Sequence, residues 1–314
     1  MEFPPINRAY NQTYRPGRLS LGLVVPIENS GASAVPQMRD HLERVQLAET
    51  LGFSAVWLRD VPFNVPSFGD AGQLFDPFVY LGYLAGNTER IALGVASIVL
   101  PLRHPAHVAK SAASVDVLSN GRVLLGVASG DRPEEYPAFN KPFESRAESF
   151  RSSIDYINNA WKDTASFANE FGNPSGGIDL LPKPITGRLP LLITGSSRQS
   201  PEWLARNGDG WITYPRGIDA QASIISQWRT GIKEAGGRDK PATQSLYIDL
   251  VDEPDATPQP IHLGFRSGVN YLHRYLSSLQ GIGINHVALN LRFNQADIES
   301  TLKRLAEEVL PDFS

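Results

Sequence analysis

Eight times along this chain a short apolar, β-branched run gives way to a segment whose apolar residues recur at helical spacing. The runs are Leu19–Val25, Ala55–Leu58, Ile91–Leu100, Val123–Ala128, Pro190–Thr194, Trp211–Tyr214, Ser245–Val251 and His286–Leu291. Between them, Leu42, Val45 and Ala48, then Ala147, Phe150, Ile154, Ile157 and Trp161, then Ile298, Leu302, Leu305 and Val309 mark helical faces. Strand and helix in strict alternation predict a parallel sheet covered by helices. Eight such units predict an α/β chain folded as a (β/α)8 barrel. A doubly wound open sheet is the rival, but Val24-Val25-Pro26-Ile27 lacks the glycine fingerprint such a sheet carries after its first strand. Asp76-Pro77 and Ser200-Pro201 read as helix starts, and Asn120-Gly121 and Gly236-Gly237 as helix ends. Residues 1–314 read as one domain, with an extension over 1–17, a loose stretch over 171–188 and a loop insertion over 252–265.

Composition narrows the function classes. With 29 basic and 33 acidic residues the net charge is −4, and no basic block offers a footprint for nucleic acid. The absence of cysteine removes disulfides, thiolate metal sites and thiol nucleophiles. No run reaches the ~18 apolar residues of a membrane span, and the polar, proline-interrupted N-terminus does not read as a signal peptide, so a cytoplasmic protein is expected. His104 and His107 stand three apart but have no third ligand nearby, and no metal site is expected. There is no Walker sequence, no Gly-x-Ser-x-Gly elbow and no His-Glu-x-x-His.

In a parallel barrel the active site lies where strands end, so the residues after each run are the candidates. After the fifth run, Gly195-Ser196-Ser197-Arg198-Gln199-Ser200 enters a helix. Exposed N–H groups, the positive helix end, three hydroxyls and Arg198 suit an anion, while plain capping by Ser200 explains the same residues. After the fourth run, Ser129-Gly130-Asp131-Arg132 sets a small turn beside two opposite charges, as a site or as a solvated turn. Small residues interrupt the third run at Ala96-Ser97 and would admit a flat ligand; a barrel interior alternating small and large side chains has the same pattern. After the second run, Arg59-Asp60 offers an ion pair, followed by the loop Pro66–Phe75.

Taken together these segments resemble the bacterial luciferase-like flavin monooxygenases, over about residues 19–310. The resemblance is carried by Leu93 to Pro101 with His104-Pro105, by Leu118 to Arg122 leading into Leu125 to Gly130, and by Ser196 to Trp203. It implies a barrel using FMN or, in some branches, a deazaflavin. Ala96-Ser97 then corresponds to a non-prolyl cis peptide against which the flavin ring packs. Ser196, Ser197 and Ser200 match the phosphate loop. Ser129 stands where a luciferase places an arginine toward the phosphate, so either Arg198 or Arg132 compensates or FMN is held weakly. Relatives often carry a histidine motif after the second strand, where this chain has Asp60-Val61-Pro62. Asp60 and Asp131 are the replacement candidates for a general base, and burial would have to raise their pKa. Arg59 is expected to touch substrate or flavin, with Asp60 orienting it.

The resulting expectation is an FMN-dependent monooxygenase that takes reduced flavin from a separate reductase and acts with dioxygen on a small organic substrate. Phe63, Phe68 and Phe75 would wall the ring from water. The rivals are a flavin-binding protein without catalysis and a barrel hydrolase or isomerase of a phosphorylated substrate. A homodimer is expected through faces around Ala109, Ala112 and Ala113 and around Tyr80, Tyr83 and Leu84.

Overall fold

A computed structural model describes residues 3–29, 33–68, 71–163, 165–175 and 177–313. The eight runs become β1 (Ser20–Val24), β2 (Ala55–Leu58), β3 (Ala92–Val99), β4 (Val123–Ala128), β5 (Leu191–Thr194), β6 (Gly210–Thr213), β7 (Ala242–Leu250) and β10 (His286–Asn290). Each pairs in parallel with the next, and β10 closes the ring between β7 and β1. The expected barrel is therefore the fold, and the open sheet is excluded. The predicted insertion builds a hairpin, β8 (Gln259–Ile261) and β9 (Gly264–Ser267), whose second strand extends along the end of β7. β7 begins three residues earlier than its apolar run. The added stretch includes the polar Thr243 and Gln244, which find tertiary partners in Tyr14 and Gln221 that the sequence pattern does not show.

Helices α2 (His41–Leu51), α3 (Pro77–Asn87), α4 (Pro105–Leu118), α5 (Arg146–Ala160), α6 (Pro201–Asn207), α7 (Ile218–Glu234) and α8 (Val269–Gly281) belong to the connections between strands, and α9 (Ile298–Glu308) follows the last strand. Asp76 and Ser200 cap α3 and α6 as expected. His104 caps α4 in the same way: its Nδ1 accepts the Ala106 N–H at 3.2 Å and its Nε2 donates to Phe171 O at 3.0 Å. None of the described helices is long and apolar enough to cross a membrane.

The N-terminal stretch, expected to be loose, is instead part of the core. A short helix, Arg8–Thr13, sits at the N-terminal end of the strands with Tyr10 and Tyr14 buried, and its Asn7 cap reaches Val123 O at 2.8 Å. Phe3, Ile6, Ala9, Tyr10 and Tyr14 share one apolar cluster with the barrel residues Val24, Trp57, Leu124 and Ala288. Proline and polar residues hid this plug from the sequence, because its apolar positions are too few to show a period.

Trp57 is the largest side chain inside the barrel. A Cβ at Gly94 on β3 would fall 2.7 Å from the indole Cδ2, and one at Gly22 on β1 would fall 2.8 Å from the His286 ring, so both positions must be glycine. The Trp57 indole N–H donates to His286 Nε2 at 2.8 Å, which leaves Nδ1 as the protonated nitrogen facing Ser20 Oγ at 2.8 Å. Ser20 in turn donates to Thr13 O at 2.7 Å, tying the ring to the plug.

The faces expected to pair two subunits are in large part internal. Ala109, Ala112 and Ala113 are fully buried within the chain, and so are Tyr80 and Leu84, because α3 and α4 pack on β3, β4 and each other. On α3, Tyr83 and Val79 are exposed, at 47% and 71%.

Burial holds His286 neutral by lowering its pKa from 6.5 to about 3. The unfolded chain takes up this proton below about pH 6.5 while the fold refuses it, so stability present above that pH is lost as pH falls toward 3. The loss approaches about 1.4 kcal/mol per pH unit across the window. His286→Gln is expected to flatten this acid limb in urea unfolding measured from pH 7 to pH 4; parallel limbs in the two proteins would remove His286 as its source.

Candidate active site

The C-terminal ends of β3, β4 and β5 form a shelf of small side chains. The Ala96–Ser97 peptide is cis, as the sequence resemblance leads one to expect, and the β3–β4 register shifts there, between Val95 and Ile98. Ser97 Oγ hydrogen bonds to Thr194 Oγ1 on β5, spanning β4, whose residues at this end are Gly126 and Ala128. Ala96, Ser97, Thr194 and Gly195 are all half-buried, so the shelf opens to the barrel mouth. Thr194 carries no motif of its own, and only the closing of the barrel places it opposite Ser97.

The loop after β5 runs through left-handed backbone at Gly195, Ser197 and Arg198 (φ 56°, 43° and 62°). Its three hydroxyls are not equivalent. Ser197 is buried and donates to Thr194 O at 2.8 Å, so it braces the shelf. Ser200 accepts the Trp203 N–H at 3.3 Å and bonds to Glu202, which lowers that carboxyl below its ordinary range and completes a helix cap. Ser196 is exposed and accepts the Arg198 N–H at 3.2 Å, which leaves its own hydroxyl hydrogen for a ligand. Arg198 is exposed beside it. Behind the loop, buried Gln199 is fixed by Arg151 at 2.9 Å and donates to Ala147 O and Ser197 O.

The residues after β2 are arranged differently from the expectation. Asp60 is buried, and its oxygens accept from Arg103 Nε at 2.9 Å, Arg103 Nη2 at 2.7 Å and Val99 N–H at 3.1 Å. The predicted orientation of Arg59 by Asp60 gives way to a carboxylate that locks the β3 exit, because a buried Asp takes the bidentate partner within reach. Arg103 extends the pair to Asp76 Oδ2 at 2.8 Å, tying the cap of α3 to the same point. Asp131 is exposed. It lies near Tyr214, whose phenol is raised by burial first and by the Asp131 charge second, with Arg59 opposing. Arg59 and Asp131 are thus within electrostatic reach of Tyr214, whose ring lies against Gly195.

Ser129 is buried at the end of β4, and its carbonyl accepts the Tyr136 hydroxyl. The next residue must be glycine: Gly130 has φ 77° and a Cβ there would fall 2.7 Å from Val99. Arg132 is buried, stacks on Phe68 at 4.1 Å and stands 3.8 Å from Glu135, so it clasps two loops together while Arg198 stays open to solvent. Glu135, which the sequence did not single out, is buried and accepts the Phe63 N–H; burial raises its carboxyl and Arg132 opposes the shift. Phe63 packs on Phe139, whereas Phe75 turns away to His41 and Tyr80. Residues 69 and 70 of the predicted Pro66–Phe75 loop lie outside the described residues.

Removing one partner of a buried ion pair strands the other charge, at about 3–5 kcal/mol for full burial. Arg103 is partly exposed and keeps Asp76, so Asp60→Ala is expected to lower stability by about 2–3 kcal/mol in urea unfolding. Asp131→Ala is expected to change it by less than ~0.5 kcal/mol. Equal effects would contradict the structural role of Asp60.

Comparison with known proteins agrees with this architecture. An uncharacterized protein of Mycobacterium tuberculosis is 31% identical over 236 residues, spanning 70% of this chain and 82% of its own. An F420-dependent secondary alcohol dehydrogenase in complex with an F420-acetone adduct superposes with a TM-score of 0.78 at 17% identity, covering 95% of this chain and 99% of that one. The oxygenating constituent of 3,6-diketocamphane monooxygenase from Pseudomonas putida, in complex with FMN, gives 0.72 at 15% identity, with 95% and 99% covered. Residues 19–257 match the family described as luciferase-like monooxygenase, and the chain belongs to that family.

Proposed function

We propose that the protein is an FMN-dependent monooxygenase, receiving reduced flavin from a separate reductase and acting with dioxygen on a small organic substrate. The observation that carries this reading is the shelf of Ala96, Ser97 and Thr194 beside a loop that keeps one hydroxyl and one guanidinium open to solvent. Its small side chains fit a flat ring lying on the backbone, and Ser196 with Arg198 fits a phosphate at its edge. The bound flavin would supply the redox chemistry and the reaction with oxygen.

This chain's own residues would do the rest. Ser197 and Thr194 hold the shelf in place, and Ser196 and Arg198 fix the phosphate. Tyr214, exposed at the rim and within electrostatic reach of Arg59 and Asp131, offers a phenolic hydrogen-bond donor. Phe63 and Phe68, clasped to the β4 loop by Glu135 and Arg132, narrow the access of water to the shelf. A deazaflavin reading is favoured by the F420-dependent neighbour, which shares nearly the whole fold.

Two measurements separate the readings. Oxygen uptake by reduced FMN at a rate the protein changes relative to free reduced FMN supports the monooxygenase; reduction of a deazaflavin without oxygen uptake replaces it. A hydrogen bond from a neutral donor to an anion is worth ~1.5–3 kcal/mol, less at an exposed site, so Ser196→Ala and Arg198→Ala are each expected to weaken FMN binding about tenfold. Ser197→Ala should lower stability instead. Unchanged affinity in the Ser196→Ala/Arg198→Ala double variant would sink the phosphate assignment.

We also infer a homodimer, formed through the exposed Val79 and Tyr83 of α3. Sedimentation should give twice 34.4 kDa at micromolar concentration, and Tyr83→Glu should halve it. A wild-type monomer under those conditions would refute the pairing.

A further inference from the structure

An opening at the barrel mouth lies across from the shelf, where β7, the β8–β9 hairpin, the loop after β1 and the loop after β10 meet. It has a volume of about 780 Å³, within the range of small-molecule sites. Its polar wall includes Asn29, Gln259, His262, Arg266 and Gln295. Asp249 lies at its base, buried, accepting from Arg266 Nη1 at 2.5 Å and from the Gln295 N–H at 2.9 Å. Phe293 lines one side, and its ring forms a cluster with Tyr247 (5.2 Å between centroids) and His262 (6.4 Å). Gln259 through Arg266 lie beyond residue 257, where the family match ends.

We propose that this cleft seats the substrate, and that the substrate is an uncharged ring compound bearing several hydroxyl groups. The assignment of this ligand as substrate rests on the flavin reading above. The chemistry follows by elimination. An alkyl chain would strip water from amide, imidazole and guanidinium groups and give them no partner. An anion would be drawn to Arg266, but Asp249 already neutralises that guanidinium at contact distance. A cation would find no surplus negative charge, because the Asp249 carboxylate is already paired with Arg266. Amide side chains both donate and accept, and hydroxyls are the small neutral groups that answer both. The aromatic cluster suits the face of a ring, saturated or aromatic.

The test uses ligand-observed saturation-transfer NMR on the full chain with four probes at millimolar concentration. These are catechol and methyl glucoside as hydroxylated rings, benzoate as an anion and 1-octanol as an alkyl chain. Binding of either hydroxylated ring, with benzoate and octanol weaker, is expected. Gln259 and His262 are exposed, so Gln259→Leu and His262→Leu should leave the fold intact and weaken that binding about five- to tenfold. Arg266→Met should weaken it further; if it fails to fold because Asp249 is stranded, the first two variants decide. Absence of binding by both hydroxylated rings, equal or tighter binding of octanol or benzoate, or binding insensitive to Gln259→Leu and His262→Leu would overturn the proposal. FMN titration of the same samples tests the flavin reading separately. Probe binding without FMN binding keeps the cleft and ends that reading, and FMN binding without probe binding does the reverse.

Discussion

The barrel is organised around the indole of Trp57, a bulky ring with one N–H donor sealed where no water reaches it. Leaving that donor unpaired would cost about 1–3 kcal/mol, so the interior must supply an acceptor. His286 does so only as the neutral tautomer protonated at Nδ1, and that proton in turn needs Ser20, whose hydroxyl bonds to Thr13 of the N-terminal plug. One hydrogen-bonded chain therefore joins β2, β10, β1 and the plug. The bulk of the ring demands its own concessions, which are the glycines at positions 22 and 94 on the flanking strands.

With the N-terminal end filled in this way, the C-terminal end is left for small residues. Gly94, Ala96, Gly126 and Ala128 climb β3 and β4 from the Trp57 level to the mouth. The narrow side chains that admit the indole below continue above it as an open shelf. Around that shelf the charged residues divide by burial. Asp60 with Arg103, and Glu135 with Arg132, are withdrawn from solvent and hold loops to the barrel. Arg198, Asp131 and Tyr214 stay at the surface of the mouth, where a ligand can meet them.

The mouth has two unlike halves. On the β3–β5 side it is small, flat and edged by a single exposed hydroxyl and guanidinium. On the β7–β10 side it is open and lined by amides and an ion pair, and part of that wall comes from a hairpin grown on the end of β7. A cofactor and a substrate approaching from opposite sides is the division of labour this asymmetry suits. Strands β1 to β7 lie within the segment that matches the family, and the hairpin lies beyond its end at residue 257.

Much of this was legible in the residues themselves. Eight apolar runs separated by helical periods determined a parallel sheet covered by helices, and the lack of a glycine fingerprint after the first run favoured the barrel over an open sheet. Asp76-Pro77 and Ser200-Pro201 determined two helix starts, and the small pair Ala96-Ser97 marked the irregular end of β3. These signals are local, carried by side chains within a few positions of one another. What the sequence left open was every choice between distant partners. Asp60 stands next to Arg59 in the chain yet binds Arg103, Ser197 turns inward while Ser196 faces out, and residues 3–17 become the floor of the barrel. Each outcome depends on which groups the closing of the ring brings within 3 Å and hides from water, and that is a property of the tertiary structure alone.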